Sequence, residues 1–407
     1  MTDTTDLLEG IGGEAAARLD DAVDLRRRIH RHPELGLDLP VTQATVLEAL
    51  DGLPVTTTTG TATSSVIAVL DGDEPGPTVL LRGDMDALPM PEDTDLDFAS
   101  EVDGAMHACG HDAHVAMLAG AASLLASRRG SLAGRVVFMF QPGEEGFGGA
   151  KVMLDEGLLD VAADGAEPVS LGFAIHQSPT LPSGLIASRG EAILAATDEF
   201  EITVQGRGGH ASMPHHAGDP IPAAAAMISA IQTMVTRRVD VFDPAVVTVA
   251  SMHGGTTTNV IPETATFAGT IRTVSPSTRA LVVGEIRRVV EGVAAAHGVG
   301  VEVESTPGYP VTVNDPASAA FALDTAARLA GERAAFELPT PIMGGEDWSY
   351  VLEQVPGAMA FLGTRPDGIK PEDVAPNHSN RMVIDEGAMA AGIALYSGVA
   401  LRHLANA

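Results

Sequence analysis

Cysteine is nearly absent from this chain of 407 residues: Cys109 is the only one. A single cysteine excludes intrachain disulfides, so nothing in the chain requires an oxidising compartment. Lysine is almost as scarce, represented by Lys151 and Lys370 alone, and the formal net charge is −30. A surface of that sign repels nucleic acid and anionic membrane. The opening residues, MTDTTDLLEGIGGEAAARLDD, are acidic and lack the basic-then-apolar order of a secretory signal. No apolar stretch is expected to reach transmembrane length, and no repeat or low-complexity tract stands out. The expectation is a soluble, cytoplasmic protein. What remains is an ordinary globular composition, 45% hydrophobic, with length for two or three domains.

The scarce cysteine sits in the densest run of polar chemistry, Met106–Leu118, MHACGHDAHVAML. His107, Cys109, His111, Asp112 and His114 fall within eight residues. Cys109 and His111 can face one point if the backbone turns tightly, and Gly110 between them permits such a turn. Sulfur with imidazole suits a zinc-type divalent ion. The apolar run Ala116–Ala126 reads as a buried helix. It would place the ligands at a helix N-terminus, where a thiolate is favoured. The alternative is a buried cysteine acting as an inert small hydrophobe.

Short apolar runs bounded by glycine and proline predict strands at Ser64–Leu70, Thr78–Arg82, Arg135–Phe140 and Ser170–His176. The second runs into Asp84 and Asp86, whose spacing points both carboxylates one way on a strand. The third leads to Glu144 and Glu145, neighbouring acids that repel unless a metal ion relieves them. The fourth ends at His176. Solvated loop aspartates and a solvated glutamate turn remain open readings of these pairs. In an α/β sheet, ligands collect at the C-terminal ends of strands. One rim of one sheet would then carry all these residues beside Cys109 and His111.

The texture changes near Glu191. Strands at Asp198–Gln205, Ala245–Ser251, Thr264–Thr273 and Val299–Glu304 alternate with helices at Asp219–Arg237 and Pro276–His297. This βαββαβ order is a split βαβ unit able to fold alone. We expect an inserted ferredoxin-like α+β domain over 191–305, within a catalytic α/β domain made of 1–190 and 306–407. The catalytic part would hold a central mixed sheet flanked by helices. Strand Asp198–Gln205 is expected to present an edge to a second copy.

The succession GDMDALP, MHACGHDAH, FQPGEEG, FAIHQSP, GRGGHASMP, NVIP, GTIRT, GGEDW and PNHS resembles the aminoacylase/hippurate-hydrolase family of dinuclear metallo-amidohydrolases. The likeness runs from Arg27 to Glu386. The ACGHD form is similar to the cysteine-containing branch that holds auxin-conjugate and hippurate hydrolases. Two departures appear. Asp84, an aspartate that the amidohydrolase branch shares, stands where related peptidases use a ligand histidine, and Gly143 stands where alanine is common.

The resemblance implies roles. Cys109 would bridge two divalent ions (Zn, Mn, Co or Ni), with His111, Glu145, His176 and His378 as the other ligands. Glu144 would be the general base and Asp86 the carboxylate orienting a ligand. His210 would steady the oxyanion, in many relatives from the opposite subunit, and Asn259 and Arg272 would lie near the substrate carboxylate. The implied activity is hydrolysis of the amide bond of small N-acyl amino acids by a homodimer formed through the inserted domain. A dipeptidase or carboxypeptidase with the same metals is one alternative. A catalytically inactive metal-bearing binding protein is another.

Overall fold

The computed structural model describes residues 5–406. Two compact units emerge. The first comprises Met1–Ile193, Val313–Thr340 and Tyr350–Ala407, and the second Leu194–Thr312 and Pro341–Ser349. The second unit thus runs a few residues past the expected boundary at 305. It also takes in the 341–349 loop, which sequence reading left with the catalytic part.

The first unit is built on an eight-stranded mixed sheet. Its order is Thr56–Thr59, Val66–Asp71, Ala133–Gln141, Glu74–Asp84, Val169–Pro182, Gly357–Arg365, Ile186–Ser188 and Ala335–Glu337. The four strands at its centre are mutually parallel. They are nearly continuous apolar runs because helices cover both faces of such strands. Residues such as Val79, Leu81, Val136, Phe138, Phe173 and Ile175 are buried there. Helices Leu19–Arg31, His111–Ser127 and Met389–Asn406 contribute to the same core.

Two expectations about this unit need correction. The segment 15–31, whose Ala, Leu and Arg content up to His32-Pro33 reads from sequence as one helix, is divided between Ile11–Ala16 and Leu19–Arg31. The stretch Glu386–Ala405 does have the length and apolar composition of a membrane span, against expectation, yet 78% of it is buried inside the unit. It is a core helix, and its apolar character comes from packing on the sheet.

The second unit contains a four-stranded antiparallel sheet in the order Ala245–Gly254, Thr264–Thr273, Ala196–Gln205, Gly300–Pro307. Helices Pro220–Arg238 and Pro276–His297 pack on it through Met227, Ile231, Val282 and Ile286. Each starts at a side-chain cap, Asp219 and Ser275, followed by proline, the combination favoured at a helix start. Strand Ala196–Gln205 is hydrogen-bonded on both sides, so it offers no edge. The edges are Ala245–Gly254 and Gly300–Pro307. Its buried-exposed alternation shows that one face is covered by helices, which says nothing about lateral neighbours.

Candidate metal centre

The helix that follows the cysteine begins at His111, directly after Gly110 in the left-handed region at φ +83°. Glycine is required there twice over: it adopts that φ freely, and a Cβ would lie 2.6 Å from the Gln177 side chain. Gln177 ties two segments together. Its Nε2 donates to the Cys109 carbonyl at 2.7 Å and to Asn377 Oδ1 at 2.8 Å, and its Oε1 accepts from the Thr364 hydroxyl. The His378 N–H donates to the Ala108 carbonyl at 2.8 Å. His378 itself holds φ +67°, uncommon for a residue with a side chain. Its position is therefore set by the surrounding contacts rather than by local preference.

The parallel register aligns the remaining residues. Arg82 pairs with Ala174, so Asp84 and His176, two residues further on, lie level on adjacent strands. The strand carrying His176 does not stop there as expected but continues to Pro182, because Gly357–Arg365 keeps pairing with it. Asp84 is level with Gln141, from which the chain turns into Glu144 and Glu145.

Three of the groups of potential ligand atoms that lie within 4.8 Å of one another build the centre: Cys109 with His111 and His176; Cys109 with Glu145 and His378; and His111 with Glu144 and Glu145. Cys109 Sγ is 3.4 Å from His176 Nε2, and His378 Nε2 is 3.1 Å from Glu145 Oε1. Asp86 organises the set from behind. Its Oδ1 and Oδ2 accept the N–H groups of Glu144 and Glu145, both at 2.9 Å, and its carbonyl faces His111 Nδ1 at 2.8 Å.

This arrangement fits metal binding. His111 Nδ1 and His176 Nδ1 each face a backbone carbonyl, of Asp86 and Gln177. A carbonyl only accepts, so both rings carry a proton on Nδ1, and Nε2 is the atom left to ligate an ion. His111 Nε2 is buried, makes no hydrogen bond and lies 3.3 Å from Asp84 Oδ2, so an ion bound by the ring would give this atom a partner. The surroundings favour positive charge. Burial works against charging His111, but Asp84 and the Cys109 sulfur push its pKa well above the usual value. Hydrogen bonds donated to the Cys109 sulfur and the Glu145 carboxylate push His378 up to about 10.

Asp84 and His114 also approach His111, but their atoms are committed. His114 Nε2 accepts from the Gln177 N–H and its Nδ1 faces Asp84 Oδ1. Asp84 Oδ2 lies 2.9 Å from the Arg82 guanidinium. Arg82 therefore neutralises Asp84 and His114 donates to it, which explains how a carboxylate can be buried at this place. Sequence reading missed Gln177 and the His114–Asp84 pair. The signal for the second was present: both lie in motifs already singled out. Gln177 carried none beyond its adjacency to His176.

In the second unit, Gly209–His210 pairs with Val260–Ile261, and the Ala211 N–H donates to the Asn259 carbonyl at 3.1 Å. This ribbon brings His210 and Asn259 together from positions 49 apart in sequence. Arg272 lies on the interior strand Thr264–Thr273, level with Thr197 and Val246.

Thiol, imidazole and carboxylate donors converging at the rim of a mixed α/β sheet, with a second acid beside them, define a metal-dependent hydrolase. More specifically, the chain belongs to the peptidase family M20/M25/M40, which it matches over residues 80–402. It is 37% identical over 401 residues to thermostable carboxypeptidase 1 of Saccharolobus solfataricus, covering 98% of this chain and 99% of that one. It is 39% identical over 350 residues to N-acetylcysteine deacetylase of Bacillus subtilis, covering 84% and 88%. Among solved structures it is similar to the Bacillus subtilis YXEP protein, described as a dinuclear metal binding peptidase from the M20 family. The TM-score is 0.81 and the identity 34%, with 96% of this chain and 99% of that one covered.

Proposed function

We propose that the protein hydrolyses the amide bond of N-acyl amino acids, releasing a carboxylic acid and a free amino acid. The observation that carries this reading is that Cys109 belongs to two donor groups, one with His111 and His176 and one with Glu145 and His378. A shared thiolate with two ligand sets suits a pair of divalent ions, and the similar YXEP protein is described as dinuclear metal binding. Ions held by these five residues would polarise the acyl carbonyl and make water acidic enough to react near neutral pH. Glu144, buried beside them, takes the proton as water attacks and returns it to the leaving nitrogen. Asp86 holds the backbone of both glutamates, so base and ligand keep their separate places.

The second unit supplies the substrate contacts. His210 steadies the oxyanion, and Asn259 and Arg272 receive the free carboxylate. Among the described residues Arg272 makes no ion pair with an acidic side chain, although Asp and Glu outnumber Lys and Arg by 54 to 24. The protein works in the cytoplasm as a homodimer joined through an edge strand of the second unit, Ala245–Gly254. Val246 and Met252 are exposed on it, and an open edge is a template for a second chain.

The test is a panel of N-acetyl-, N-benzoyl- and longer-chain acyl amino acids, assayed after chelation and re-addition of Zn, Mn, Co or Ni. Turnover restored by metal is the expected result. Absence of turnover with every metal would favour a binding protein. The likeness to a carboxypeptidase favours a second reading, cleavage of a C-terminal residue from a peptide, so N-blocked dipeptides belong in the same panel. Faster cleavage of those than of acyl amino acids would select it.

A further inference from the structure

The ribbon of the second unit shows how its two polar side chains are turned. The Ser212 backbone N–H donates to His210 Nδ1 at 3.1 Å, and the Ser212 hydroxyl lies 2.8 Å from the same atom. A backbone amide can only donate. Nδ1 is therefore the acceptor, the serine hydroxyl donates to it as well, and the ring's proton sits on Nε2. The same device recurs across the ribbon. The Thr257 hydroxyl donates to Asn259 Oδ1 at 3.0 Å, which fixes the amide's oxygen end and leaves its NH2 group free to donate.

All four residues are exposed, and the main chain under them is held by the pairing of His210 with Val260. Exposed histidine and asparagine normally offer water a mixture of donors and acceptors. Here the ring acceptor of His210 and one lone pair of Asn259 Oδ1 are engaged by a hydroxyl two residues away, so the two side chains turn their N–H groups to the free side of the ribbon end. A pair of N–H donors held this way fits a ligand group made of acceptors, an oxyanion or a carboxylate.

We infer that Ser212 and Thr257 are positioning residues. Ser212 orients His210 as an Nε2–H donor to the developing oxyanion, and Thr257 orients Asn259 as an N–H donor to the substrate carboxylate. The inference rests on the reading of His210 and Asn259 given above. It divides the two hydroxyls by kinetic stage: the oxyanion exists only as the reaction proceeds, whereas the carboxylate is present from binding onward.

The experiment uses the full-length zinc-loaded protein, an N-acetyl amino acid as substrate, and selective 15N-histidine labelling. S212A should lower kcat a few-fold to about tenfold, the usual worth of one hydrogen bond, with KM within about twofold. The His210 ring 15N resonances should shift toward an averaged tautomer, because the amide alone then holds Nδ1. S212T, which keeps the hydroxyl, should restore both. T257V should raise KM several-fold and leave kcat in place. If H210A is nearly inactive while S212A keeps wild-type kcat and ring resonances, Ser212 does not position the ring and the inference is overturned, with the reading of His210 intact. If H210A is fully active, the reading itself fails and the inference with it. An unchanged KM in T257V removes Thr257.

Discussion

Single atoms decide the chemistry of the rim. A hydroxyl is a far poorer ligand than a thiolate, so Cys109→Ser should lower the bound metal from two ions toward one or none, read by mass spectrometry. Retention of both ions with full activity would refute sharing of the sulfur. Glu144 and Glu145 are adjacent, yet Asp86 holds their amides on separate oxygens, and Glu145 alone lies against His378. Glu144→Gln should therefore keep the metal and lose roughly 10²- to 10⁴-fold in kcat, the usual weight of a general base. Glu145→Gln should instead weaken metal binding. The opposite behaviour of the two variants would mean that base and ligand are exchanged.

At the scale of elements, the centre depends on where one helix starts. Gly110 ends the loop, and His111 opens a 17-residue helix whose body is almost wholly buried. Gly110→Ala meets both the left-handed φ and the Gln177 side chain. We expect a loss of roughly 2–4 kcal/mol, from backbone strain plus the broken Gln177 bridge, measured by denaturant unfolding. Metal affinity should fall with it, since Gln177 holds the Cys109 carbonyl to Asn377. Unchanged stability would mean that the loop has another conformation open to it.

At the scale of the molecule, all proposed metal ligands belong to the first unit, while His210, Asn259 and Arg272 belong to the second. If the second unit serves a neighbouring subunit, His210→Ala and Glu144→Gln chains should complement each other. Each homodimer would be nearly inactive, but one site of each mixed dimer would hold an intact Glu144 and an intact His210. With random exchange half the dimers are mixed, so about a quarter of wild-type activity should return. No recovery despite proven exchange would assign His210 to its own subunit.

Much of this was legible in the chain before any coordinates. Apolar runs ending in Asp84, Glu144 and His176 marked a sheet rim, since strands buried on both faces lack the alternation of half-exposed ones. Gly110 marked a tight turn, and the βαββαβ order of the second unit followed from local periodicity and caps. These are short-range signals, set within a few residues by sterics and by the need to bury apolar side chains. The remainder depended on long-range contacts. Which strands become edges is a matter of lateral pairing, and Asp198–Gln205 has the same alternation in either position. Gln177 acquires its role only because Ala108–Gly110 and Asn377–His378 arrive on either side of it. The Nδ1 proton of His111 is held by the Asp86 carbonyl, 25 residues away in the chain. The amino-acid order by itself determined which chemical groups stand at the ends of which elements. The tertiary structure alone decided which of their atoms are left without partners, because a hydrogen bond is settled by proximity in space and not by separation along the chain.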